Sequence, residues 1–493
     1  MVETLSSAEE SRGEVRDGEL ERAEVGHVEL GDFTSSIVGV AGYYPLGRYM
    51  YPTGGYHQVI VATEDDKVTE LYWRPGETVN QEELYDFSKL SVPSKIAGIS
   101  AYYSENDGYH HQDVATRDGK LCELYWRPGP GVGYNLLYDQ FDSTILGVAA
   151  YYVPEDGYHH QDVATEDGKL TELYWRPGPG VSHDVLENFT SRIVGVAAYP
   201  TPDGFQHQIV ATEDRQVHQL WWRPGSGLNH RILQGFTSAI LGVAGYYTPD
   251  GYRRVVVATE DGKVTELSWK PAEPIERTEL PHGLTTRVVA VAGYFSHGDN
   301  QQHVIIATDD RKVHGLHFGI KDDLGYPGDA ASKPDVAKWM AKCAEARGLP
   351  RELPVTCSLT ELGSGAGHGW NEGIRNFRDA YGYSVATDRV SLGFFQQRPA
   401  PAANWGCRRE NDRCTWEQRL ENIMYGPHAI TEFLDEAIKW KDQWVWPPGW
   451  GGWVYLSNED ESSYGAWCQQ VQRSGYPFRY QPQLQAARSL INR

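Results

Sequence analysis

The chain has 493 residues, 40% of them hydrophobic and 23% charged, a globular mixture long enough for two or three domains. Its formal net charge of −22 repels a phosphate backbone and argues against a nucleic-acid partner. No apolar run reaches the length of a membrane span, and the start lacks the basic-then-apolar pattern of a secretory signal.

Residues 1–26 are acidic, carry few large apolar side chains, and are expected to be disordered. A repeat then sets in. VTELYW (68–73) recurs as LCELYW (121–126), LTELYW (170–175), VHQLWW (217–222), VTELSW (264–269) and VHGLHF (313–318). The starts follow one another by 53, 49, 47, 47 and 49 residues, which marks an array of supersecondary units. Each unit holds four strand-like pieces. A small apolar strand such as ILGVAAYY (145–152) is followed by one such as VIVAT (59–63). An Asp-Gly-type hairpin turn leads into the alternating KLTELYW strand. A fourth strand follows the RPG turn, as in EELYDF (82–87), NLLYDQF (135–141), HDVLENF (183–189) and HRILQGF (230–236). Four antiparallel strands repeated radially predict an all-β six-bladed propeller over residues 27–319. Gly147, Ala149 and Ala150 leave room for the crowded inner strands. The sixth unit ends at HFGI (317–320) without a fourth strand, and HVELGDF (27–33) precedes the first unit. The N-terminal strand is therefore expected to complete the last blade and close the ring.

The third strands carry Glu70, Glu123, Glu172 and Glu266, each three residues before Trp73, Trp126, Trp175 and Trp269. The second strands carry Gln58, His111, His160, His207, Arg254 and His303. A basic donor, a carboxylate and an indole face are the parts of a sugar pocket. The 16 Trp and 30 Tyr, against 13 Phe, suit the same use. The pattern resembles the six-bladed fucose-binding lectin family, in which Arg, Glu and Trp hold a monosaccharide between blades. The resemblance implies sugar-binding roles for Arg254, Glu266 and Trp269, for His160, Glu172 and Trp175, for His111, Glu123 and Trp126, and for Glu70 and Trp73. The fourth unit departs from it with Gln219, and the sixth with Gly315 and Phe318. Neighbouring histidines on a strand point to opposite faces and no CxxC pair exists, so neither a metal site nor a cofactor is predicted.

The period stops after Gly319, and residues 320–334 read as a linker. Helical patterns follow over 335–348, 349–365, 422–440 and 484–491, predicting a mainly α domain over 335–493. Cys407 and Cys414 bracket a loop that one disulfide would close. Three stretches, PVTCSLTELGSG (354–365), DRVSLGFFQQRP (388–399) and the tail from Trp467, resemble in that order the lysozyme-like domains of lytic transglycosylases and phage-type peptidoglycan hydrolases. The resemblance implies Glu361 as the catalytic acid, with Ser391, Gln396 and Gln397 binding the acetamido sugar. An apolar helix end would desolvate Glu361 and keep it protonated for transfer to the glycosidic oxygen. Leu362 departs from the family's Ser after the acid, and residues 365–388 form an insertion that holds Glu372 and Asp388 as alternative second acids.

The combined expectation is a peptidoglycan-cleaving glycosidase that a lectin-like propeller targets to cell-wall or cell-surface glycans. It would act extracellularly, delivered by lysis or by a particle. The alternatives are a non-catalytic lectin with a degenerate lysozyme-like domain, and a propeller scaffold of a phage-like or secretion particle.

Overall fold

The computed structural model describes residues 16–17, 25–45, 55–74, 76–89, 94–104, 106–129, 131–154, 156–178, 180–319, 324–328, 331–363, 394–395, 426–473 and 477–493. They fall into two compact units. One is the propeller. The other holds residues 297–301 and the chain from 320 onward. Of the sequence expectations, Ser391, Gln396, Gln397, Glu372, Asp388, Cys407, Cys414 and most of residues 1–26 lie outside the described residues.

The propeller has six blades of four strands. Blade 1 runs Ile37–Tyr43, His57–Thr63, Lys67–Trp73, Asn80–Asp86, and blade 2 runs Ile96–Ser104, Tyr109–Thr116, Leu121–Trp126, Gly133–Tyr138. Blade 3 runs Ile145–Val153, Tyr158–Thr165, Lys169–Arg176, Gly180–Asn188, and blade 4 runs Ile193–Pro200, Gln206–Thr212, Gln216–Trp222, Asn229–Gly235. Blade 5 runs Ile240–Tyr247, Arg253–Thr259, Val264–Trp269, Glu276–Glu279, and its outer edge takes up Arg16–Asp17 as a short parallel strand. Blade 6 takes Val288–Ser296, Gln301–Thr308 and Lys312–Gly319 from the end of the array. Its fourth strand is Gly26–Asp32, antiparallel to Lys312–Gly319.

The local chemistry explains the repeat. In the hairpin between second and third strands, Thr116, Thr165, Thr212, Thr259 and Thr308 each donate their hydroxyl to an Asp two residues on, at 2.5–2.7 Å. The next position needs a left-handed backbone. Gly119, Gly168 and Gly262 supply it with φ of 82°, 84° and 80°. Asp66, Arg215 and Arg311 occupy the same place with φ of 65°, 69° and 72°. The second strands are buried along nearly their whole length, as strands sandwiched between two sheets must be. Inner strands of consecutive blades lie side by side, including the sixth against the first. The approach is close: a Cβ on Gly98 would sit 3.3 Å from the Cα of Gly147. Apolar clusters fill the seams from blade 6 through blade 5, such as Leu30, Phe33, Val59, Leu71, Tyr294 and Ile305 between blades 6 and 1.

The second unit holds five helices among its described residues: α1 Lys333–Ala346, α2 Glu352–Gly363, α3 Gly426–Ile438, α4 Tyr464–Gln472 and α5 Leu484–Ile491. A hairpin, Gln443–Val445 with Val454–Leu456, lies between α3 and α4. Ser332 caps α1 by accepting from the Asp335 backbone N–H. Residues 353–358 of α2 are buried on every side, the mark of a central helix, and α1, α4 and α5 pack around it. The predicted helix from 349 begins instead at Glu352, which leaves Pro354 in its first turn.

Candidate functional site

Side chains alternate along a strand, and this decides what meets in the seams between blades. In blade 2, His111 and Asp113 lie opposite Tyr125 and Glu123, while His110 and Gln112 lie opposite Trp126 and Leu124. The basic residue and the Glu of one blade therefore share a face. His111 Nδ1 is 2.8 Å from Glu123 Oε1, and His160 Nδ1 is 3.0 Å from Glu172 Oε1. Arg254 Nη1 donates to Glu266 Oε1 at 2.8 Å. In blade 4, Gln219 Nε2 and His207 Nδ1 are 2.9 Å apart. All of these groups are buried.

The tryptophan of the same blade is on the opposite face, so the polar pair and the indole of one blade belong to different seams. Trp126 lies flat on His110 at 4.1 Å, and Trp175 flat on His159 at 4.1 Å. That face looks toward the preceding blade. Trp175 stands 6.4 Å from the His111 ring of blade 2, and Trp269 stands 5.5 Å from the Arg231 guanidinium of blade 4. In these two seams, polar side chains of one blade meet the indole of the next. Arg254 and Glu266 look toward blade 6, where Phe318 takes the place of an indole. Trp73 and Trp269 are buried, whereas Trp126, Trp175 and Trp222 are half-exposed.

A ring of tyrosines that the sequence reading missed ties the seams together. Each lies at the end of an inner strand. Tyr102 and Tyr151 lie flat on His111 and His160 of their own blades, with interplanar angles of 7°. Their hydroxyls reach the next blade: Tyr43 to His110 Nδ1 at 2.6 Å, Tyr102 to His159 Nδ1 at 2.8 Å, and Tyr151 to Gln206 Oε1 at 2.7 Å. Tyr246 reaches Gln302 Oε1 at 3.0 Å and Tyr294 reaches His57 Nδ1 at 3.1 Å. The signal was the recurrent Tyr after the Ala/Gly run, whose period matched the blades.

Burial and charge polarise the seams. Burial alone would lower the His111 imidazole, but hydrogen bonds to Asp107 and Glu123 and their charges raise it to about 9. Asp156 and Glu172 do the same for His160. His110 and His159 are pushed down to about 3 by burial and by the neighbouring charged imidazole. Glu70 faces Gln58 instead of a cation. Burial, with the charge of Glu82 adding, raises its carboxyl to about 8.

In the second unit Glu361 lies near the end of α2, half-buried, and accepts a short hydrogen bond from the Tyr480 hydroxyl. Burial raises its carboxyl above the usual range, against the lowering effects of Tyr480 and Arg479. Of the SLGFFQ turn, only Phe394 and Phe395 are described. Both are buried, and Phe395 stacks on Phe433 of α3 at 4.4 Å.

The hairpin beside α4 bears a further aromatic surface. Its inward side chains, Val445 and Leu456, are buried. Its outward rings form a ladder, with Trp444 against Tyr455 at 5.5 Å and Trp446 against Trp453 at 5.9 Å. Trp444, Trp446 and Trp453 are 66%, 53% and 63% exposed. The sequence carried the signal as Trp440, Trp444, Trp446, Trp450 and Trp453 in one short stretch.

No family model and no curated protein matches the chain. Solved structures do. An arginine-to-alanine mutant of AofleA from Arthrobotrys oligospora shares 11% identity over 60% of this chain and 87% of its own, with a TM-score of 0.45. A mutant Aleuria aurantia lectin in complex with alpha-methyl-L-fucoside shares 10% over 57% and 93%, with a TM-score of 0.44. A gluconolactonase from Xanthomonas campestris shares 12% over 59% and 89%, with a TM-score of 0.40.

Proposed function

We propose that the protein binds carbohydrate. The observation that carries this reading is the placement of its indoles. Burying a Trp is worth several kcal/mol, yet Trp126, Trp175 and Trp222 stay half-exposed at seams beside polar side chains, and Trp444, Trp446 and Trp453 are turned outward as a ladder. Flat indole faces stack on the C–H faces of sugar rings, and the seam amides, imidazoles and carboxylates suit hydroxyls. The seam between blades 3 and 4 offers His160 with Glu172 from one blade and Gln206 with Trp222 from the next, tied by Tyr151. The full chain is expected to bind a defined subset on a glycan array. Trp222→Ala weakens binding at least tenfold if the seam is the platform, and Trp444→Ala with Trp446→Ala does so if the hairpin is. A silent array, or undiminished binding by both variants, would overturn the reading.

A second reading, glycan cleavage, rests on Glu361. An acid whose protonated form is favoured by burial, in a helix crossing the centre of its unit, is suited to donate a proton to a glycosidic oxygen. Tyr480 would orient it. Turbidity of purified cell walls is then expected to fall with the intact chain and to persist with Glu361→Gln. Walls left turbid by the intact chain would discard this reading and leave the first one standing.

A further inference from the structure

Three side chains meet where blades 2 and 3 abut. Asp107 comes from the loop between the first two strands of blade 2, His111 from the second strand of that blade, and His159 from the second strand of blade 3. One carboxylate oxygen and one nitrogen of each imidazole all lie within 4.8 Å of one another. His111 Nε2 is 3.3 Å and His159 Nε2 is 3.6 Å from Asp107 Oδ2. An ion held tetrahedrally at about 2.1 Å from nitrogen and oxygen donors keeps those donors about 3.4 Å apart. Two of the three edges already have that length.

The surroundings match what a metal-bound imidazole needs. Such a ring is held through its second nitrogen by a carboxylate or another oxygen, which fixes both tautomer and orientation. Here His111 Nδ1 meets Glu123 Oε1 at 2.8 Å, and His159 Nδ1 meets the Tyr102 hydroxyl at 2.8 Å. Trp175 lies flat against His159 and Tyr102 flat against His111, so neither ring is free to turn. An independent observation points the same way. His159 is fully buried, and its Nε2, aimed at Asp107, has no hydrogen-bond partner. A buried imidazole nitrogen left without a hydrogen bond beside a carboxylate is a place that a cation can fill.

Histidine recurs at the His159 position as His57 and His110, but other seams have a different residue there. Gln206 stands there beside Asp156 and His160, and Arg253 stands there with its Nη2 3.5 Å from Asp203. In the seam after blade 4 the cation is thus an arginine of the chain itself.

We propose that Asp107, His111 and His159 bind one divalent transition-metal ion of the zinc class across the seam between blades 2 and 3. Two imidazoles and one carboxylate favour zinc, cobalt or nickel over calcium or magnesium, which prefer all-oxygen shells. Three protein donors leave the fourth position to water or to a ligand oxygen. The proton on His111 Nε2, which faces Asp107, leaves to buffer as the metal enters, and Nδ1 keeps the proton directed at Glu123. The inference does not depend on the carbohydrate reading, which is tested at Trp222 and at the hairpin.

The test uses the full chain, stripped with chelator and titrated with zinc by calorimetry, with cobalt(II) absorption as a second readout. At least one zinc per chain is expected, with a visible cobalt band of a four-coordinate site. His159→Gln, which installs the residue type found one seam further on, is expected to remove that equivalent, and Asp107→Asn to do the same. Glu123→Gln is expected to weaken binding 10–100-fold through the orientation of His111. Failure of the intact chain to take up zinc would overturn the proposal. So would retention of the equivalent by either folded ligand variant, as judged by an unchanged circular dichroism spectrum.

Discussion

Arg254→Ala is expected to lower the stability of the propeller by about 3–5 kcal/mol, the cost of leaving one member of a buried ion pair behind. The guanidinium donates to Glu266 at 2.8 Å, to Asp250 at 3.3 Å and to Thr248 at 3.1 Å, and it lies over the Tyr252 ring. Glu266 is fully buried, so once Arg254 is gone it would retain the Tyr246 hydroxyl but lose its counter-charge. Urea unfolding followed by tryptophan fluorescence measures the effect. Arg254→Met combined with Glu266→Leu removes both charges and is expected to recover most of the loss. A loss below about 1 kcal/mol in the single variant would show that the seam admits water. The resemblance to a lectin pocket predicts loss of ligand from the same substitution, and the burial adds a loss of fold stability.

Glu70→Gln is expected to stabilise the propeller at neutral and alkaline pH. The folded carboxyl is raised to about 8 by burial and by Glu82, and Glu70 Oε1 has no hydrogen-bond partner. The unfolded group ionises near its ordinary value of 4.5. Between those two values the folded chain keeps a proton that the unfolded chain has released, so stability falls as pH rises through this window. At pH 7 the penalty is about 3 kcal/mol. The amide never ionises and escapes it. Thermal unfolding of the two proteins should coincide at pH 4.5, diverge as pH rises, and run parallel above pH 8. Curves that stay together up to pH 8 would mean that Glu70 is solvated in the fold.

The blades were legible because their signals are local. Thr-x-Asp turns, alternation in the third strand and small residues in the first all act within a few residues, and the strand that closes the ring followed from counting strands. What crosses from blade to blade was not. Period-2 alternation puts Trp126 on His110, on the face opposite His111 and Glu123. The same alternation was correctly applied to the paired histidines, yet two different blades each turn one histidine into a common seam. No spacing within one repeat records that meeting. In the second unit, Glu361 and its burial could be read from an apolar helix, but its hydroxyl partner Tyr480 arrives from the far end of the chain and had no local mark.

The ring is fastened by Gly26–Asp32 lying beside Lys312–Gly319, so the first strand of the propeller has its partner only after all six repeats exist. On a ribosome the early blades can stack while the circle stays open, and the fastening strand waits, unpaired, until nearly the whole array has emerged. The latch then joins residues close to 290 positions apart, a loop-closure cost met in a single late step. Once shut, the circle exposes no inner blade face at which fraying could begin, and that makes opening as concerted as closing.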